Sequence, residues 1–282
     1  MGYFEGKIAV VTGAGSGIGR ALAEGLNAAG CALELSDINR ESLEATRDGL
    51  ARKDLDCHIE RIDVADRAAM ELWAQAVAAR RGHVDIVINN AGVALGGTAE
   101  ENSIEDIEWL MGINFWGVVY GSKFFIPLLH QSGGGHLVNI SSVFGLIGVP
   151  TQSAYNAAKF AVRGYTEALR QEQHMAETGL HVCCVHPGGI TTNIARAARS
   201  NLSEEERAAL ADRFEEMTAT SPESAAAQIM QSIERRKPRL LIGRDAWFIS
   251  LINRLFPVAY PRILAFLGGK EMRRMVQGDD AA

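Results

Sequence analysis

Seven short apolar runs constrain this chain more than any other feature of it. Residues 7–12, 31–36, 56–62, 84–89, 134–140, 180–186 and 239–242 read as strands, and stretches with helical apolar spacing separate them. The first run, Ile8 through Val11, has no polar face, so such strands must be covered on both sides. Alternation with helices then predicts an α/β fold: a doubly wound parallel sheet of about seven strands with helices on both faces. No internal repeat, low-complexity tract or Pro/Ser-rich linker divides the chain. Residues 1–245 are therefore expected to form one domain and 246–282 a C-terminal amphipathic helical extension.

The turn after the first strand is Thr12-Gly13-Ala14-Gly15-Ser16-Gly17-Ile18-Gly19, spaced G-x-x-x-G-x-G and opening a helix at about Gly17. Glycines at such a place let the backbone turn tightly and bring amides and a helix N-terminus against a pyrophosphate. A dinucleotide is thus the expected ligand, on Gly13, Ser16, Gly17, Ile18 and Gly19. Asp37 ends the second run, where a carboxylate accepts hydrogen bonds from ribose hydroxyls and repels a 2′-phosphate, which favours NAD over NADP. Arg40, three residues on, is the counter-candidate, within reach of a 2′-phosphate.

Chemistry is suggested further along. Tyr155 and Lys159 lie four residues apart, one helical turn on the same face, and Ser142 stands thirteen residues before the tyrosine. A free phenol near pKa 10 is a poor base at neutral pH, and a neighbouring ammonium is expected to lower it. The serine hydroxyl, arriving from a strand end, can hold a substrate oxygen.

Taken together these motifs resemble the short-chain dehydrogenase/reductase family in its compact, single-domain Rossmann form, from about residue 6 to 243. The resemblance implies that Asp63 and Val64 contact the adenine and that Asn90, Ala91 and Gly92 lie by the cofactor ribose. It implies that Asn114 holds a water in a proton relay, and that Ser142, Tyr155 and Lys159 are catalytic. Pro187, Gly188, Ile190 and Thr192 would border the nicotinamide, and Tyr155 and Lys159 would touch the cofactor too. The implied activity is hydride transfer between NAD and a small-molecule secondary alcohol or ketone, without a metal. The substrate pocket is expected near Phe144, Val149, Gln152 and the 190–202 loop. The family further implies a homodimer or homotetramer. A non-catalytic dinucleotide sensor is the alternative, as is a membrane-surface dehydrogenase of a lipophilic substrate. Nucleotide-sugar epimerases share Tyr-x-x-x-Lys but need a further substrate domain.

Composition excludes other classes. A net charge of −6 argues against a general nucleic-acid binder. Cys31, Cys57, Cys183 and Cys184 show no zinc-ligand spacing and read as reduced core residues of a cytoplasmic protein, and the N-terminus does not resemble a signal peptide. His186 ends an apolar run and is given no catalytic role; Trp73, Trp109 and Trp116 read as core or interface anchors. Ser203 is expected to cap a helix that opens with Glu204-Glu205-Glu206-Arg207. The last segment differs from the rest. From Arg235 to Arg274 it holds ten Lys/Arg against Asp245 and Glu271, and Pro257 and Pro261 are expected to break its apolar stretch into two short helices, too interrupted to span a membrane. Packing on another subunit and lying in an anionic membrane surface both remain open for it.

Overall fold

The computed structural model describes residues 2–192, 194, 197–200, 205 and 220–267. All seven expected strands are found: β1 (Ile8–Thr12), β2 (Ala32–Asp37), β3 (Cys57–Arg61), β4 (Ile86–Asn89), β5 (His136–Ile140), β6 (His181–Pro187) and β7 (Arg239–Ile242). They form one parallel sheet in the order β3-β2-β1-β4-β5-β6-β7. The order reverses between β1 and β4, and a doubly wound sheet opens a ligand crevice beyond the carboxyl ends of the strands at that point. β5 starts two residues later than its apolar pattern suggests. Gly133, Gly134 and Gly135 all have positive φ, and a Cβ on Gly134 would lie 2.5 Å from the Gly179 backbone, so these residues make a close-packed turn.

Neighbouring strand residues divide between two cores. Val11, Ile88, Val138 and Cys183 face α1 (Gly17–Ala28) and α7 (Pro222–Glu234), joining Leu22, Leu26 and Ile229. Val10, Val87, Leu137 and Val182 face α3 (Arg67–Arg81) and α5 (Gly117–Gln131), joining Met70, Trp73 and Phe125. The period-2 alternation of a strand puts an apolar residue on each face, and each buried aliphatic or aromatic side chain contributes roughly 1.5–3 kcal/mol. Local signals set the helix starts. Asn39 caps α2 (Arg40–Gly49), Asp66 caps α3, and Ser221 caps α7 with Pro222 in the first turn.

Two elements depart from regular helix. α4 (Ile104–Met111), capped by Ser103, runs through a π-helical turn at Gly112–Trp116 straight into α5. Such a turn inserts an extra residue and re-aims the side chains within it. Beyond β7 the chain forms α8 (Arg244–Leu255) and α9 (Tyr260–Leu267). The break falls at 256–259; Pro261 does not break a helix but lies in the first turn of α9, where its missing N–H is harmless. The cap expected at Ser203 lies outside the described residues, as do most of 201–219.

Trp73 is a core residue, edge-on to Phe125 at 5.1 Å, and Trp109 lies under the Arg199 guanidinium at 3.9 Å. Trp116 is exposed and stacks on Tyr120. The four cysteines are free thiols, three of them buried. No described helix is long and apolar enough to cross a membrane, and no described cluster of three or more His, Cys, Asp or Glu could hold a metal.

Candidate active site

Four elements meet beyond the carboxyl ends of β1, β4, β5 and β6. α6 (Ser153–Met175) brings Tyr155 in its first turn and Lys159 one turn later. Ser142 leaves β5 and caps the short 3₁₀ turn Val143–Gly145, its Oγ accepting from Phe144 N at 3.1 Å. The π-turn delivers Asn114, fully buried; its amide bonds the Val93 backbone twice, Nδ2 donating to Val93 O and Oδ1 accepting from Val93 N, both at 2.8 Å. Gly92 lies between Asn114 and Lys159. A Cβ there would stand 3.3 Å from Asn114 Oδ1 and 3.5 Å from Lys159 Nζ, so the amide and the ammonium both approach this strand end.

The electrostatics differ from the expectation that Lys159 lowers the tyrosine. Burial pushes the Tyr155 phenol up to about 12, and a hydrogen bond with Ser142 only partly opposes it. Burial likewise pushes Lys159 down to about 8. The reason is placement: Nζ stands 5.7 Å from the Tyr155 ring centroid and donates to Ile140 O at 3.1 Å, so desolvation outweighs the ammonium's field at the phenol. The pair is therefore a neutral phenol beside a lysine close to losing its proton.

The dinucleotide side is built around glycines. Gly13 and Gly17 have φ of 65° and 51°, and a Cβ on Gly13 would lie 2.8 Å from Ala91 Cα. A Cβ on Gly15 would lie 2.8 Å from Asp37 Oδ2, the atom that accepts from Gly15 N at 2.8 Å. Ser16 is the N-cap of α1 but makes no side-chain capping bond, which leaves the first-turn amides at Gly17, Ile18 and Gly19 without a protein cap. This open, amide-lined cradle fits a pyrophosphate. Asp37 stands at its edge, and Arg40 is paired with Glu44 at 2.7 Å along α2. Asp63 is exposed just past β3, while Val64 is buried against Gly117. On the far side, Ile190 bridges Thr220, and the Thr192 methyl approaches Gly17, so the segment after Pro187 folds back over the cradle.

The structure also assigns work to residues the sequence did not single out. Thr12 Oγ1 accepts from Asn90 N and Ala91 N at 3.0 Å each, tying the glycine turn to the end of β4. Asn156 Nδ2 donates to Phe144 O and Ile147 O at 2.8 Å, and Oδ1 accepts from Val149 N at 2.9 Å. That side chain staples the 144–149 loop, from which Phe144 meets Tyr155 edge-on at 6.2 Å. Asp245 accepts from Gly189 N at 2.8 Å and is so close to Gly188 that any Cβ there would clash. Only its position next to a strand end hinted at this. His186 Nδ1 lies 3.1 Å from Ser142 O, and burial pushes its pKa down to about 4, so it is a neutral core histidine.

A parallel sheet with a glycine cradle at its switch point defines the chain as a Rossmann-type α/β protein. The sequence profile of the short chain dehydrogenases matches residues 7–203. SadH of Mycobacterium tuberculosis is 46% identical over 266 residues, 94% of this chain and 96% of that protein. A Burkholderia phymatum short chain dehydrogenase/reductase in complex with NAD superposes with a TM-score of 0.84 at 30% identity, covering 90% of this chain and 95% of that one. A short-chain dehydrogenase from Streptomyces avermitilis gives 0.79 at 29% identity, over 93% and 97%. The chain belongs to the short-chain dehydrogenase/reductase family and is an oxidoreductase of that family.

Proposed function

We propose that this oxidoreductase is NAD-dependent and acts on a secondary alcohol or ketone, with Ser142, Tyr155, Lys159 and Asn114 as its catalytic set. The observation that carries the reading is the convergence of the Ser142 hydroxyl and the Tyr155 phenol, whose pKa the serine holds down, beside buried Lys159 and Asn114 and next to the glycine cradle.

In this reading Gly13, Ser16, Gly17, Ile18 and Gly19 hold the pyrophosphate and Asp37 the adenosine ribose. Asp63 and Val64 flank the adenine, Asn90, Ala91 and Gly92 border the second ribose, and Pro187, Gly188, Ile190 and Thr192 line the nicotinamide side. The carboxylate of Asp37 and the engagement of Arg40 by Glu44 support NAD over NADP, as does the NAD held by the Burkholderia phymatum relative. When bound, the nicotinamide supplies the hydride acceptor or donor. Ser142 holds the substrate oxygen. Tyr155, a phenol with its pKa raised, gives its proton to a carbonyl oxygen in the reducing direction; in the oxidising direction it first passes that proton to the unprotonated amine of Lys159 and then, as phenolate, takes the substrate's hydroxyl proton. Lys159, held near its own pKa, exchanges protons with that phenol, and Asn114 positions the water that links the lysine to solvent. Association into a homodimer or homotetramer belongs to the same reading, and the exposed Trp116 with its stacked neighbour Tyr120 offers an apolar surface for it.

The test is turnover of a panel of secondary alcohols, sterols and ketones by the full chain and by Tyr155→Phe. The variant should lose at least a hundredfold in kcat while binding the dinucleotide as before, since a positioned acid/base contributes about 10²–10⁴-fold. A wild-type protein that binds NAD but turns over nothing on the panel would make the site a dinucleotide sensor. Retention of more than about a hundredth of kcat by the variant would remove Tyr155 from the chemistry.

A further inference from the structure

Helices α8 and α9 cover the loop beside the active site with one face and leave the other bare. The inner face is well held. Ile252 and Leu264 pack on Ile147, Asn253 Nδ2 donates to Leu146 O at 2.9 Å, and Tyr260 Oη accepts from Gly148 N at 2.9 Å. The outer face carries Trp247, Leu251 and Leu255 at four-residue spacing, with Phe248, and the turn after it adds Phe256 and Val258. Trp247 is 66% exposed and Val258 91%, so these side chains stand out from the surface rather than line a groove.

Charge says what such a surface can meet. Residues 244–267 contain three arginines, Arg244, Arg254 and Arg262, and one acid, Asp245, in a protein whose net charge is −6. Asp245 is taken up by Gly189 N, and none of the three exposed arginines has an acidic partner among the described residues. Two copies joined symmetrically through this patch would bring unpaired arginines together with no acid between them. An anionic lipid surface satisfies both features, taking the aromatic and aliphatic side chains into its interfacial layer and the arginines against its headgroups.

We propose that the α8–α9 hairpin docks this protein on an anionic membrane surface, with Phe256 and Val258 inserted. Because the same hairpin is bonded to the 146–149 loop, docking turns the mouth of the cleft toward the bilayer. The substrate class that fits is then a lipophilic alcohol or ketone dissolved in the membrane; this last step rests on the activity proposed above.

The test uses the full chain and vesicles of phosphatidylglycerol mixed with phosphatidylcholine, against phosphatidylcholine alone. The protein should sediment with the anionic vesicles only, and less so as salt rises. Arg254→Gln with Arg262→Gln should weaken partitioning about thirtyfold, at roughly 1 kcal/mol per basic side chain. Val258→Asp, at a side chain too exposed to matter for folding, should abolish it. Both variants should bind the dinucleotide and oxidise a water-soluble alcohol as wild type does, while Val258→Asp slows turnover of a vesicle-dissolved one. Absence of binding to anionic vesicles, or binding indifferent to Val258→Asp, overturns the proposal. So does a Val258→Asp protein that keeps vesicle binding but changes sedimentation mass, because the patch is then a contact between copies. Failure of Tyr155→Phe to lower turnover would refute the catalytic reading and leave the vesicle result standing.

Discussion

Acidification should weaken this fold through His136, and the size of the effect follows from what surrounds the ring. His136 opens β5 in register with His181 on β6, ring centroids 5.3 Å apart, and its Nε2 lies 2.6 Å from the Tyr3 hydroxyl. Burial first, then the neighbouring His181, Arg236 and Lys7, push its pKa down to about 3, against about 6.5 in an unfolded chain. Between those two values the unfolded chain binds the proton and the folded one does not. Stability therefore rises with pH across that window and is lost as pH falls below about 6.5. At pH 5 protonation favours the unfolded chain about thirtyfold, or roughly 2 kcal/mol, a sizeable part of the 5–15 kcal/mol typical of a domain. Urea unfolding at pH 7.5 and pH 5 measures it, with His136→Asn as the comparison: the amide still meets the Tyr3 hydroxyl and does not titrate. Groups away from this pair titrate alike in both proteins, so the difference reports this ring together with its coupling to His181. The variant should lose about 2 kcal/mol less than wild type between the two pH values. Equal losses would refute the argument.

NAD should bind at least tenfold more tightly than NADP, about 1.4 kcal/mol, and Asp37→Ala should narrow the gap; equal affinities in the unmutated protein would show that another group outweighs the carboxylate. Lys159→Ala should lower kcat and dinucleotide affinity together, and a variant that lost only one of the two, measured by steady-state kinetics and by titration, would separate roles joined here. Asn156→Ala should cost about 2–3 kcal/mol by leaving the buried Ile147 carbonyl and the half-buried Phe144 and Val149 backbone groups unpaired, which an unchanged Tm would contradict. Deleting residues 246–282 should uncover Leu146 and Ile147 and make the protein aggregate or change its sedimentation mass; an unchanged mass and solubility would show that the extension shields nothing.

The strands were legible because a parallel sheet buried on both faces leaves unbroken apolar runs, and the motif residues because their spacing matched a helical turn. What escaped the sequence depends on contacts across the chain. Nothing local in the sequence signals the π-turn that aims Asn114 at Val93. The Tyr155 pKa came out opposite to the expected direction because spacing along a helix gives neither the distance of Nζ from the ring nor the depth of burial. Asp245 looked like one acid in a basic tail, and only the fold puts its carboxylate against Gly188 and Gly189. Asn156 stood inside the very motif that drew attention, yet its task is to bond three backbone groups 7 to 12 residues away.

That task has a consequence for how enzymes of this shape diversify. Asn156 grips the 144–149 loop only through main-chain atoms, and those atoms are the same whatever side chains the loop carries. A change of side chain at 144 or 149 therefore leaves these three bonds in place, and its cost falls instead on the packing of the loop against α8 and α9. A library randomised at Phe144 and Val149 with Asn156 kept should yield a larger share of folded proteins than the same library built on Asn156→Ala.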